Sequence, residues 1–157
     1  MARSTRATKA LERVGLAFTV HTYDYDSKAD RVGLQAAHAL GESPARVLKT
    51  LMVLVDDKPA CAIVASDREV SLKKLASSLG GKVAVMMKPA DAERISGYKV
   101  GGISPFGQPR LTRVVIDQSA VEHQLVFING GQRGLQLRLD PTDAVSVLGA
   151  TVAAIQA

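Results

Sequence analysis

The segment Val47-Leu48-Lys49-Thr50-Leu51-Met52-Val53-Leu54-Val55-Asp56-Asp57-Lys58-Pro59-Ala60-Cys61-Ala62-Ile63-Val64-Ala65 carries the argument about architecture. Residues 47–55 and 59–65 are short apolar runs rich in β-branched side chains. Asp56-Asp57-Lys58-Pro59 between them has the composition of a turn, so the two runs read as a hairpin. Two strands in succession argue against the regular strand and helix alternation of a doubly wound sheet.

The flanking sequence repeats this irregular mixture. Upstream, Ala7, Ala10, Leu11 and Val14 fall at helical spacing, with Ser4 or Thr5 as a cap and Gly15 as a stop. Residues 18–23 alternate as a half-buried strand, 24–30 form a charged loop, and a short helix over 32–40 is closed by Gly41. Downstream, Ser71 opens a helix that puts Leu72, Leu75, Ala76 and Leu79 on one face and stops at Gly80-Gly81. A strand over 83–86 precedes a helix opened by Pro89 and broken at Gly97. Strands over 114–117, 125–128 and 135–139, a helix over 141–148 and a short strand over 151–155 complete the order. No repeat and no low-complexity linker divides the chain. The expectation is one α+β domain over residues 1–157, a mixed, largely antiparallel sheet with helices packed around it.

Composition narrows the function classes. The chain has 157 residues, of which 46% are hydrophobic and 22% charged, enough for a packed core without disulfides. A lone Cys61, with no apolar run of membrane-spanning length, gives a cytoplasmic expectation and no membrane partner. The net charge of +5 favours a polyanionic partner. Aromatic residues make up only 4%, too few for a platform that stacks several bases, so contact with a nucleic acid would fall on phosphate and sugar.

Two features stand out as candidate chemistry. Ser96-Gly97-Tyr98-Lys99-Val100-Gly101-Gly102-Ile103-Ser104-Pro105-Phe106-Gly107 holds four glycines and reads either as a surface turn or as a loop whose bare backbone a ligand can approach. Lys49 shares a strand face with Val47, Leu51, Val53 and Val55, a charge in an apolar row. It reads either as a lysine guarding a strand edge or as an ammonium at the mouth of a pocket. His21, His38 and His123 lie far apart and Cys61 has no nearby ligand partner, so no metal and no cofactor is expected. There is no nucleophile elbow, no phosphate-binding glycine-lysine motif and no dinucleotide fingerprint. A glycine-lined pocket with one lysine still permits hydrolysis, with backbone N–H groups stabilising an oxyanion while substrate or water attacks.

Three stretches in order carry a resemblance: Val47-Leu48-Lys49-Thr50-Leu51, then residues 97–107, then Gly130-Gly131-Gln132-Arg133-Gly134-Leu135. Together with His21-Thr22-Tyr23 and Leu72-Lys73-Lys74-Leu75-Ala76, they resemble the motifs of the YbaK/EbsC family, in particular its Cys-tRNA(Pro) deacylase branch. The resemblance runs from the first helix to the last. It implies a free-standing relative of the prolyl-tRNA synthetase editing domain, acting on mischarged tRNA(Pro), with the synthetase as a further candidate partner. It also implies that the substrate cysteine's own thiol attacks the ester, which explains a motif set without a protein nucleophile.

By matching position, the resemblance makes Lys49 and Gly101 the catalytic residues. Tyr23, Val32, Thr50, Gly102, Ile103, Ser104, Pro105, Gly130, Gly131 and Gln136 become substrate-binding residues. Two positions depart from the branch: Val32 stands where it has an aromatic ring, and Gln136 where it has a carboxylate. Three alternatives follow: an alanyl-tRNA(Pro) or broader deacylase that uses water, a binding module without turnover, and a Lys49 that only protects a strand edge.

Overall fold

A computed structural model describes residues 4–26, 28, 32–110 and 112–157; the side chains of Val32 and Gly33 also fall outside the described set. The hairpin forms from β2 (Leu48–Val55) and β3 (Lys58–Ala65), antiparallel, with Val55 opposite Lys58. Its connection is tighter than the four-residue turn expected. Only Asp56 and Asp57 lie between the strands, with φ of 49° and 65°. Two successive left-handed residues make the turn whose twist matches that of paired strands, and aspartate tolerates that conformation better than most side chains. The Asp56 carboxylate accepts the Val83 N–H at 2.9 Å and the Lys82 N–H at 3.1 Å, which fixes the hairpin tip against the next strand.

The remaining strands are β1 (Phe18–Thr22), β4 (Ala84–Met86), β5 (Arg113–Asp117), β6 (Val126–Asn129), β7 (Leu135–Leu139) and β8 (Thr151–Ala153). They form a five-stranded sheet in the order β4-β2-β3-β5-β8 and a three-stranded sheet in the order β1-β7-β6. The β3–β5 and β5–β8 pairs are parallel and the other four are antiparallel, so the α+β architecture is mixed and largely antiparallel, as expected.

The helices are α1 (Arg6–Arg13), α2 (Val32–Leu40), α3 (Leu72–Ser78), α4 (Pro89–Ser96) and α5 (Pro141–Leu148). Thr5 caps the first of them reciprocally: its hydroxyl accepts the Thr8 N–H while the Thr8 hydroxyl accepts the Thr5 N–H. Val14, expected on the buried face of that helix, is 59% exposed, because the helix ends at Arg13. A 3-10 turn, Gln118–Glu122, was not expected. The Asp117 carboxylate starts it by accepting the Ser119 N–H.

The five-stranded sheet is buried on both faces. One face carries Leu48, Met52, Cys61, Ile63 and Ile116 into the main core, where Leu11, Phe106 and Leu137 meet them. The other carries Val53, Val55, Ala62, Val64 and Val115 against Leu75 and Ala76 of α3. Cys61 is a buried core residue, its Sγ 3.2 Å from Met52 Sδ. A third, smaller cluster of Ala36, Ala37, Val47 and Phe127 packs beneath α2. Besides sharing the main core, the two sheets are joined among the described residues by one parallel bridge between Val47 and Phe127, where the Phe127 N–H donates to the Arg46 carbonyl at 2.8 Å. Among the described residues no helix is long and apolar enough to cross a membrane.

Candidate functional site

The bridge sets the geometry of the site. Bridged residues point to the same face, so Lys49 and Asn129, each two positions further along its strand, project from the same side as Val47 and Phe127. Gln136 lies opposite both Asn129 and His21 and joins them there. Just beyond β1, the Tyr23 N–H donates to the Gly134 carbonyl at 2.9 Å, and its ring packs against the small cluster under α2. Burial and the neighbouring Tyr25 raise the Tyr23 phenol above its ordinary value, against an opposing hydrogen bond from Gln136.

Gln136 is 4% exposed, and its Oε1 has no hydrogen-bond partner. Lys49 keeps 23% of its side chain exposed, and its Nζ lies 3.9 Å from Glu69. That carboxylate is 86% exposed, and a pair so long and so wet restrains the ammonium little. Thr50 alternates to the opposite face, toward the main core, and its Oγ1 is likewise buried without a partner.

The first glycine loop is tied down at both ends. The Ser96 hydroxyl accepts the Tyr98 N–H at 3.1 Å, and the Tyr98 hydroxyl donates to the Phe106 carbonyl at 2.5 Å. Burial pushes that phenol up to about 12. Ser104 is fully buried; its hydroxyl accepts the Phe106 N–H, and its carbonyl accepts from Gln108 Nε2 at 3.0 Å. Ile103 packs on the main core and Pro105 is buried. At the tip, the Gly102 N–H donates to the Lys99 carbonyl at 2.8 Å and Gly101 has φ 91°. With Val100 outside the left-handed region, this is a type II turn, which requires glycine at its third position.

The second glycine turn supports the first. Asn129 Oδ1 accepts the Gly131 N–H at 2.7 Å, while Asn129 Nδ2 donates to the Gly101 carbonyl at 3.3 Å. A Cβ on Gly102 would stand 2.7 Å from the Arg133 nitrogen, so the two turns pack backbone against backbone. Gly130 faces Leu135 and Leu137, and Gly131 faces the Tyr98 ring. Above the tip, a Cβ on Gly101 would meet Tyr25 Oη at 2.5 Å. The Arg133 guanidinium lies 5.4 Å over the Tyr25 ring.

The fold thus puts Lys49, Tyr23 and Gln136 on one side of the bridged strands, with Gly101 tied to that side through Asn129. Ile103, Ser104 and Pro105 build the loop behind Gly101, Gly130 and Gly131 buttress it, Thr50 faces the core, and the side chain of Val32 lies outside the described residues. Asn129, Tyr25 and Arg133 were not among the expected residues. Asn129 had a readable signal, since an asparagine two positions before a glycine favours a side-chain-to-backbone turn. Tyr25 had none, because only the tertiary fold brings it to Gly101; Arg133 stood inside the second glycine motif, but nothing in that motif ties it to Gly101.

Two cavities flank this arrangement without containing Lys49 or Gly101. One of about 270 Å³ lies between α1, α5 and the far side of the glycine loop, against Phe106, Gln108 and Thr112. The other, of about 450 Å³, is lined by Arg46, His123, Phe127 and Arg138. The first backs onto the loop and the second lies beside the bridge, so neither replaces the Lys49 face as the candidate site. Among the described residues no cluster of side chains could hold a metal ion.

The chain is similar to several known proteins. A protein of Enterococcus faecalis provisionally named the Cys-tRNA(Pro)/Cys-tRNA(Cys) deacylase EbsC is 31% identical, over 80% of this chain and 77% of its own. The multifunctional Ser/Thr-tRNA deacylase ProXp-y of Escherichia coli K12 is 29% identical, over 90% of this chain and 86% of its own. A crystal structure provisionally described as a trans-editing enzyme for prolyl tRNA synthetase shares the fold, with a TM-score of 0.86 over 99% of both chains at 21% identity. The family model described as "Aminoacyl-tRNA editing domain" matches residues 29–147, from the end of the charged loop through the glycine turns into the last helix; the chain belongs to that family.

Proposed function

We propose that the protein is a deacylase that removes a wrong amino acid from tRNA, with cysteine on tRNA(Pro) as its substrate. The observation that carries this reading is the buried Gln136 oxygen without a partner, on the face that also holds Lys49. An unpaired buried acceptor costs about 1–3 kcal/mol, and the α-ammonium of an aminoacyl ester is a donor that would recover that cost. Lys49 then orients the phosphate or carbonyl of the aminoacyl-adenosine end, and the Gly101 N–H meets the developing oxyanion.

In this mechanism the cysteine sulfur bonds to its own ester carbonyl carbon and the ester C–O bond breaks. The thiol proton passes to the departing ribose hydroxyl. The products are a cyclic thiolactone and free tRNA. The net charge of +5 suits a tRNA partner met in the cytoplasm, and prolyl-tRNA synthetase is the enzyme whose errors such an activity would correct.

Purified protein incubated with cysteinyl-, seryl- and alanyl-tRNA(Pro) tests the reading. Release from the cysteinyl ester, lost in Lys49→Ala, is expected. No release above that control with any of the three overturns the proposal. A second reading, favoured by an amide at position 136 where the resembled branch has a carboxylate, is water-dependent hydrolysis of a small hydroxyl-bearing or alanyl ester. Release from the seryl or alanyl ester at the cysteinyl rate decides for it.

A further inference from the structure

We propose that Arg133 is the positioning residue of the site, acting through the peptide that joins Val100 to Gly101. This rests on the reading of Gly101 as the backbone donor. A type II turn differs from a type I turn by rotation of its middle peptide, and glycine at the third position is at home in both. Something outside the turn must therefore choose the direction of that peptide.

Arg133 Nε donates to the Val100 carbonyl at 2.9 Å. Among the described residues no peptide bond is cis, and in a trans peptide the C=O and N–H point in opposite directions. Holding the Val100 oxygen toward Arg133 consequently directs the Gly101 N–H away from it. The rest of the arginine is committed to the same task. Its guanidinium lies over the Tyr25 ring, the Tyr25 hydroxyl end covers the Gly101 Cα, and its backbone nitrogen packs against Gly102. Arg133 makes no ion pair among the described residues. Its charge is directed at a carbonyl and a ring. From the other side, Asn129 Nδ2 holds the Gly101 carbonyl. The turn is thus gripped on both of the peptides that Gly101 joins.

Glutamine carries its amide nitrogen at the same distance along the side chain as arginine carries Nε, so Arg133→Gln keeps the donor and removes the charge. Single-turnover deacylation should fall about tenfold or more in Arg133→Ala, mainly in kcat, and stay within about threefold in Arg133→Gln. Arg94→Gln, which removes an equal surface charge, should change the rate by less than about twofold. Equal losses in Arg133→Ala and Arg133→Gln, expressed in KM and with a flatter salt dependence, would identify Arg133 as a phosphate contact and overturn the proposal. No loss in either variant would overturn it as well.

The amide resonance of Gly101 in the free protein gives a readout independent of turnover. It should shift or split in Arg133→Ala and remain in place in Arg133→Gln. An unmoved resonance in Arg133→Ala refutes the positioning role even if no tRNA ester is cleaved. A wild-type protein that cleaves none of the esters refutes the proposed function alone.

Discussion

The Thr5 hydroxyl donates a 2.6 Å hydrogen bond to the Gly130 carbonyl, across 125 positions of sequence. The same oxygen accepts the Thr8 N–H at 3.1 Å, so one atom both caps α1 and holds the second glycine turn in place. Through Asn129 and Arg133 that turn in turn supports Gly101. A residue at the start of the fold therefore contributes to the geometry of the site.

Thr5→Ala should lose a cap, at about 1 kcal/mol, and leave the Gly130 carbonyl short of a donor, at about 1–3 kcal/mol. Thermal melts should show a drop of about 2–4 °C for each of those kcal/mol, while Thr5→Ser should melt close to wild type. A Thr5→Ser melt that matches Thr5→Ala would show that the hydroxyl does not carry the effect.

Alanine at the two adjacent glycines should have different consequences. In Gly101→Ala the new methyl meets the end of the Tyr25 side chain, which can swing aside, and the left-handed backbone costs about 1–2 kcal/mol. That variant should fold and lose about a hundredfold in deacylation. In Gly102→Ala the methyl meets the backbone of Gln132 and Arg133, which cannot move without displacing the second turn. Urea titration should show a loss of about 3 kcal/mol or more. Tyr25→Ala added to Gly101→Ala should recover stability but not rate.

The Tyr98 phenol, pushed up to about 12 by burial, ties folding to alkaline pH. Its folded value lies above the ordinary value of 10.0, so its contribution is complete below pH 10 and is lost as pH rises toward 12. The stability gap between wild type and Tyr98→Phe should narrow over that interval. Equilibrium unfolding at pH 8, 10 and 11.5 measures it, and a constant gap would contradict the assignment.

Asp117 behaves in the opposite sense. Burial pushes its carboxyl up, but hydrogen bonds from the Ser119 hydroxyl and from the Ile155, Ser119 and Gln156 N–H groups outweigh it and hold the group below 3.8. Its stabilisation is present above that value and lost as pH falls through the lowered one. Asp117→Asn turns an amide NH2 toward two of these donors and should cost about 1–3 kcal/mol at neutral pH. The difference from wild type should shrink below pH 3.8, as followed by unfolding in urea from pH 6 to pH 2.5.

Most elements were legible in the sequence because each announces itself locally. Pro89 and Pro141 open helices, Gly97 and Gly149 close them, and the alternation in residues 135–139 matches β7 to the residue. What the sequence hid is non-local. The contact between the two sheets runs through the Val47–Phe127 bridge, which joins residues 80 positions apart and has no signature in either segment. The tight hairpin was hidden for another reason, since Asp56 and Asp57 adopt positive φ without the glycine that usually announces it. In the site, Lys49 and Gly101 could be named from the motifs, but Tyr25 and Arg133 act on Gly101 only through folding, and no spacing rule connects residues 25, 101 and 133.

Lys49 rides on the five-stranded sheet and Gln136 on the three-stranded one, so the two residues are carried by different backbones. What fixes one relative to the other is the seam between the sheets: the Val47–Phe127 bridge packed on α2, and the main core where Leu48 and Met52 meet Leu137. The spacing of Lys49 and Gln136 is therefore a property of apolar packing, open to adjustment by core substitutions that leave both residues unchanged.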